Sequence, residues 1–131
     1  MTTEVNALMI LGKVVNDKIV FRNYSERDSD YHRSENTLGV IPINTKLSYV
    51  ILKGIGLHDS HSPNFELKFY SEKNIIYNQL LPLIGSYSVY RFKKDIIYSE
   101  PHQFAISCDD INLVPKDATF EIILVLDYVD N

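Results

Sequence analysis

Hydrophobic and polar positions alternate most regularly near the end of the chain. In LVPKDATFEIILVLDYV, Leu113–Val129, one set of positions carries Phe120, Ile122, Leu124, Leu126 and Tyr128, and the other carries Glu121, Ile123, Val125, Asp127 and Val129. A period of two over this length predicts a β-strand. Its β-branched and aromatic content agrees, and Pro115 with Asp117 supplies a turn before it. The first face is apolar throughout; the second is apolar in its middle, between Glu121 and Asp127. A strand in a sheet wetted on one side needs only one apolar face. This one is therefore expected to be central, or to meet another surface with its second face.

The same alternation, more weakly, predicts further strands upstream. Val5–Leu11 is an apolar segment ended by Gly12. Lys13–Val15 and Ile19–Phe21 flank Asn16–Asp17, residues that tolerate the left-handed conformations of a tight hairpin. In Leu38–Leu52, Pro42 and Asn44 make a turn that delivers the chain into a strand begun by Leu47, Tyr49 and Ile51, an echo of Pro115, Asp117, Phe120, Ile122 and Leu124. Phe65, Leu67 and Phe69 alternate with Glu66, Lys68 and Tyr70, and a turn follows at Glu72–Asn74. Ile75–Gly85 reads as a short helix ended by Pro82, as a bulged strand, or, the reading favoured here, as a connector packed under one end of the fold. Ser86–Phe92 and Ile96–Ser99 read as a hairpin around Lys93–Asp95, and Gln103–Cys108 as a strand ended by Asp109–Asp110. The sum is about eight or nine short strands with little helix: an all-β antiparallel sandwich, jelly-roll or Greek-key like.

Composition agrees. The 131 residues suit one domain, residues 1–131, with a long polar loop near 22–37. Alanine is confined to Ala7, Ala105 and Ala118, whereas Ile, Asn and Tyr are plentiful. A net charge of -4 argues against nucleic acid as a partner, and a solvated strand end accounts for the densest basic cluster, Arg91, Lys93 and Lys94. The single cysteine, Cys108, rules out an intrachain disulfide and fits a reducing compartment. It reads as a buried structural thiol. The opening segment lacks a basic n-region, and its apolar run is too short for a signal peptide or a membrane span.

Candidate chemistry is sparse. His58, Asp59 and His61 resemble metal-site material, but no third ligand is evident unless distant His102 serves, and exposed loop histidines are the plainer reading. Asp28, Asp30 and Glu35 lack the spacing of a calcium loop. Ser107, His102 and Asp109 make no triad, because neighbours in sequence set no triad geometry. No catalytic residue, cofactor or metal is assigned, and the chain is not expected to be an enzyme. Two interface candidates remain. One is the loop Arg22–Asn36, where Tyr24, Arg27, Tyr31 and Arg33 are residue types enriched at contacts. The other is the second face of the last strand: Glu121, Ile123, Val125 and Val129.

The phrase LGVIPINTKLSYVILKGIG, the alternating middle and the closing ATFEIILVLDYV resemble small β-sandwich structural proteins of tailed-phage virions: auxiliary or decoration capsid proteins, ring or collar components and fibre domains. The resemblance covers about Leu38–Val129. It implies a non-enzymatic virion component, assembled in a host cytoplasm, whose partners are other copies of itself or other virion proteins, with neither nucleic acid nor membrane bound. Two other readings stay open. One is a glycan- or receptor-binding module using Tyr24, Tyr31, Asp28, Asp30, His58 and Asp59. The other is a small intracellular inhibitor of a host enzyme.

Overall fold

A computed structural model describes residues 5–25, 39–57, 62–92, 97–98 and 100–129. The chain is an antiparallel β-sandwich. Its strands are β1 (Val5–Val15), β2 (Lys18–Asn23), β3 (Gly39–Ile41), β4 (Thr45–Ile55), β5 (Asn64–Ser71), β6 (Asn74–Pro82), β7 (Tyr87–Arg91), β8 (Ile97–Tyr98), β9 (His102–Ser107) and β10 (Thr119–Tyr128), with one 3-10 turn at Ile111–Leu113. The larger sheet runs β2-β1-β10-β4-β7, with β8 also on β4; the smaller runs β3-β9-β5-β6. Neighbours in space are mostly not neighbours in sequence. β10 lies between β1 and β4, and β9 between β3 and β5, so the chain crosses repeatedly from sheet to sheet.

The regular alternation of β10 has the expected consequence. Phe120, Ile122, Leu124 and Leu126 are all buried, and Tyr128 is half-buried at the margin. β10 pairs along nearly its whole length on both sides, with β1 and with β4. Opposite it, Phe65, Leu67 and Phe69 point inward from β5, and Phe104 and Ile106 from β9. Aromatic rings join the sheets. Phe65 meets Phe120 edge-on at 5.1 Å and Phe21 at 6.1 Å. Phe69 stacks on Tyr77 at 5.5 Å, and Tyr77 meets Phe92 at 6.2 Å. Between Val50, Leu52, Phe65, Leu67, Ile122 and Leu124 there is no room for a water molecule, which is the packing expected of a native interior.

Turn chemistry follows the residues. Asn16 and Asp17 both take positive φ, 49° and 61°, which matches the twist of the β1–β2 hairpin. Asn44 does the same, with φ 57°, before β4. There Thr45 Oγ1 donates to the Pro42 carbonyl at 2.7 Å, satisfying a hydroxyl that is fully buried.

Four expectations need correction. Gly12 does not end the first segment: β1 runs through it, and the missing side chain makes room for the Phe21 ring, which a Cβ would approach to 3.0 Å. In β4 the inward residues are Leu47, Val50 and Leu52, not the set Leu47, Tyr49 and Ile51. An extra residue, Ser48, breaks the register against Val125 and Leu126 and turns Tyr49 and Ile51 outward. Ile75–Pro82 is neither helix nor connector but part of edge strand β6, with a bulge where Phe69 and Tyr70 face it. Finally, β7 and β8 form no hairpin with each other; both pair with β4, whose 11 residues leave room for the two in line.

The interior predicts a sharp contrast between two changes on β5. Phe65→Ala should cost about 3–5 kcal/mol, because the ring fills the space between Phe21 and Phe120. Lys68→Ala, which removes the outward 2.8 Å ion pair with Glu66, should cost less than about 1 kcal/mol. Urea midpoints at unchanged slope would measure both.

Candidate functional site

The two outer faces of the sandwich differ in chemistry. On the smaller sheet, the outward residues of β5 are Glu66, Lys68 and Tyr70, and their neighbours on β9 are Gln103, Ala105 and Ser107. The Glu66–Lys68 pair sits in the middle. The ammonium of Lys68, with a further hydrogen bond from Asn78, holds the Glu66 carboxyl below its ordinary range, and the same contact raises Lys68. This is an ordinary wetted sheet surface.

The larger sheet presents something else. Cross-strand register places Val89, Ile51, Ile123 and Met9 side by side on β7, β4, β10 and β1. The next outward row is Arg91, Tyr49, Val125 and Ala7; the row on the other side is Tyr87, Lys53, Glu121, Leu11 and Arg22. The outer face thus carries an apolar ridge four strands wide, with charged groups along its margins. Val89 is 47% exposed and Tyr49 38%, so nothing in the described chain covers that end. Ile51, Ile123 and Val125 are half-buried by their neighbours alone.

The margins are ordered. Lys53 Nζ lies 6.0 Å from the centre of the Tyr87 ring, a distance at which a cation and a π-face attract. At the other end Ser48, the bulged residue, donates its hydroxyl to the Asp127 carboxylate. Beside them Lys46, Ser48, Tyr49, Arg91, Phe92 and Asp127 line a shallow, open hollow of about 450 Å³. Just past β10, Val129 N–H donates to the Asn44 carbonyl at 2.8 Å, which anchors the end of the strand.

Of the residues singled out in the sequence, Glu121, Ile123 and Val125 do lie together on this face, and Val129 lies beyond its lower edge. Tyr24 follows β2, 64% exposed, with its N–H donating to the Met9 carbonyl at 2.8 Å, so it borders the same face. Arg27, Tyr31 and Arg33 lie outside the described residues, as do Asp28, Asp30, Glu35, His58, Asp59, His61, Lys93 and Lys94. Met9, Ile51 and Val89 were not anticipated. Alternation within β1 and β7 is the signal for Met9 and Val89, the bulge at Ser48 hides Ile51, and only pairing reveals that the three share a row with Ile123. Among the described residues no group of three or more His, Cys, Asp and Glu side chains is placed to hold a metal ion, and no helix is long and apolar enough to cross a membrane. His102 and Ser107 occupy opposite ends and opposite faces of β9 and do not converge. Asp110 does more than mark a strand end, since its carboxylate accepts the Asn64 N–H at 2.6 Å and ties the start of β5.

Comparison with models of known protein families and with curated protein sequences finds no match.

Cys108 is buried, and burial, with the nearby Asp110 and Asp109 carboxylates, pushes its thiol from 9.0 up to about 11. The native chain should therefore react with a thiol reagent at pH 8 far more slowly than the urea-unfolded chain. Above pH 9 the unfolded state loses this proton before the folded state does. The Cys108 contribution is then lost progressively as pH rises toward 11, and Cys108→Ser should flatten that decline in urea titrations.

Proposed function

We propose that this chain is a non-enzymatic structural component of a virion, an auxiliary capsid, decoration, ring or fibre protein, that works by protein–protein contact through the outer face of its larger sheet. The observation that carries this reading is the ridge Val89–Ile51–Ile123–Met9. The outer face of an antiparallel sheet facing water is normally polar. An apolar centre with a charged rim is instead the composition of a contact patch. Covering about 600 Å² of apolar surface between partners at about 25 cal/mol/Å² would yield about 15 kcal/mol gross, before the costs of association. The virion assignment rests on the resemblance of Leu38–Val129 to phage structural proteins, and a sandwich of two antiparallel sheets is consistent with it.

The test is particle association. Virions purified from cells producing the chain should carry it in a fixed stoichiometry, and Ile123→Lys, whose side chain faces outward and leaves the core untouched, should reduce incorporation at least tenfold while remaining folded by circular dichroism. A chain found wholly in the particle-free fraction would refute the virion reading. Undiminished incorporation of folded Ile123→Lys would refute the assigned face.

A further inference from the structure

The sandwich also has an edge on which the described residues place no further strand. β6 terminates the smaller sheet, pairing with β5 on one side and with no described strand on the other. Long edge strands are normally guarded by charge, by brevity or by an internal proline. The other edges here follow that rule: β2 carries Lys18 and Arg22, β3 has 3 residues, and β7 has 5 and ends on Arg91. β6 does not follow it. Its 9 residues, NIIYNQLLP, contain no charged side chain, and Ile75, Ile76 and Leu80 are 51%, 46% and 57% exposed.

The backbone directions can be read from one hydrogen bond. Leu83 N–H donates to the Pro63 carbonyl at 2.9 Å, so Leu83 faces β5. In an antiparallel ladder, alternate residues face the same neighbour. Leu81, Gln79 and Tyr77 therefore direct their backbone groups to β5, and Asn78, Leu80 and Pro82 direct theirs to the free edge. Two side-chain contacts agree. The Leu80 carbonyl is met by Gln79 Nε2 at 3.1 Å, and the Pro82 carbonyl accepts the Tyr90 hydroxyl. Pro82 has no N–H to offer, so it closes the usable edge at that end. The bulge at Ile76 bends the other end.

What the edge exposes is self-complementary. Read outward from Asn78, the strand runs Tyr77 and Gln79, then Ile76 and Leu80, then Ile75 and Leu81, then Asn74 and Pro82. We infer that β6 pairs antiparallel with β6 of a second copy about a twofold axis through Asn78, joining the two smaller sheets into one continuous sheet. In that register Asn78 faces Asn78 and exchanges both backbone bonds, and on the outer face Leu80 of each copy lies against Ile76 of the other. Over Ile76–Leu80 of the outer face, apolar meets apolar and amide meets amide, as an isologous contact favours. No like-charged pair opposes it. An axis through Tyr77, Gln79 or Leu80 would instead put Asn78 against Ile76, Leu80 or Pro82.

This contact is separate from the face assigned above, and the two fail separately: Ile123→Lys should leave it intact. Light scattering over a concentration series should show wild type passing from monomer to dimer, or to dimer-based assemblies. Asn78→Pro removes an N–H directed at the free edge, together with the side-chain hydrogen bond to Glu66. It should raise the dissociation constant at least tenfold with the fold retained; should that variant fail to fold, Leu80→Lys, a charge on an exposed position, should do the same. The register is tested by oxidation. Paired antiparallel residues bring their Cα atoms to about 5.5 Å, within disulfide reach, so Asn78→Cys should form covalent dimers, while Leu80→Cys, displaced from its own copy by four residues, should form no more than wild type with Cys108 alone. A wild type that stays monomeric at every concentration overturns the inference. So does a folded Asn78→Pro dimer of undiminished affinity, or crosslinking through Leu80→Cys in preference to Asn78→Cys.

Discussion

The packing of β10 between two strands and under a second sheet is the constraint on which the rest depends. A strand sends alternate side chains to opposite faces. With Phe120, Ile122, Leu124 and Leu126 on one face and Ile123 and Val125 on the other, β10 cannot sit at an edge without exposing apolar surface on two sides and an unpaired ladder on a third. Long partners on both flanks, β1 and β4, remove the ladder problem. The smaller sheet removes one face. The second face is only half solved, because β1 and β4 shield it sideways but place Met9, Ile51 and Tyr49 in the same plane. Satisfying β10 thus enlarges the outer apolar ridge rather than hiding it.

The smaller sheet is subordinate to this arrangement. Its inward residues are dominated by rings: Phe65, Phe69 and Phe104. Phe65 stands between Phe21 and Phe120, so one side chain couples the edge strand β2 and the central strand β10 of the larger sheet to β5. At the β6–β7 side, Tyr77 lies between Phe69 and Phe92, and Tyr90 reaches across to the Pro82 carbonyl. These contacts close that side of the sandwich with side chains, and among the described residues no strand covers β6 at Asn78.

What could be read from the sequence divides along the same physical line. β10, β5 and the Asn16–Asp17 hairpin were legible because each is specified locally, by strict alternation or by turn residues that tolerate positive φ. Ser48 was not, because a bulge is set by register against β10 and nothing in LSYVIL marks the extra residue. β6 was ambiguous for a related reason. Its apolar residues come in adjacent pairs, Ile75–Ile76 and Leu80–Leu81, which fit no single period. The candidate interface was half legible. Glu121, Ile123 and Val125 followed from alternation on one strand. Met9, Ile51 and Val89 belong with them only through long-range pairing, which a linear pattern does not encode. Val129 falls just past the strand, where its backbone N–H is held by the Asn44 carbonyl.

The two open surfaces differ in the kind of contact they support, and the difference bears on assembly. The ridge on the larger sheet offers apolar area, a non-directional attraction that tolerates small rotations and suits a partner of complementary shape. The β6 edge offers fixed backbone donors and acceptors at a strand's spacing, so it specifies distance, direction and register but supplies little area. The face and the edge also point in different directions, one normal to a sheet and the other lateral to it. A twofold edge contact closes on itself and makes a dimer; a face contact then joins dimers to a neighbour or a surface. A small domain with one directional and one non-directional contact can be held in a regular array without any catalytic site. That geometry, more than any single residue, is the structural argument for a building block.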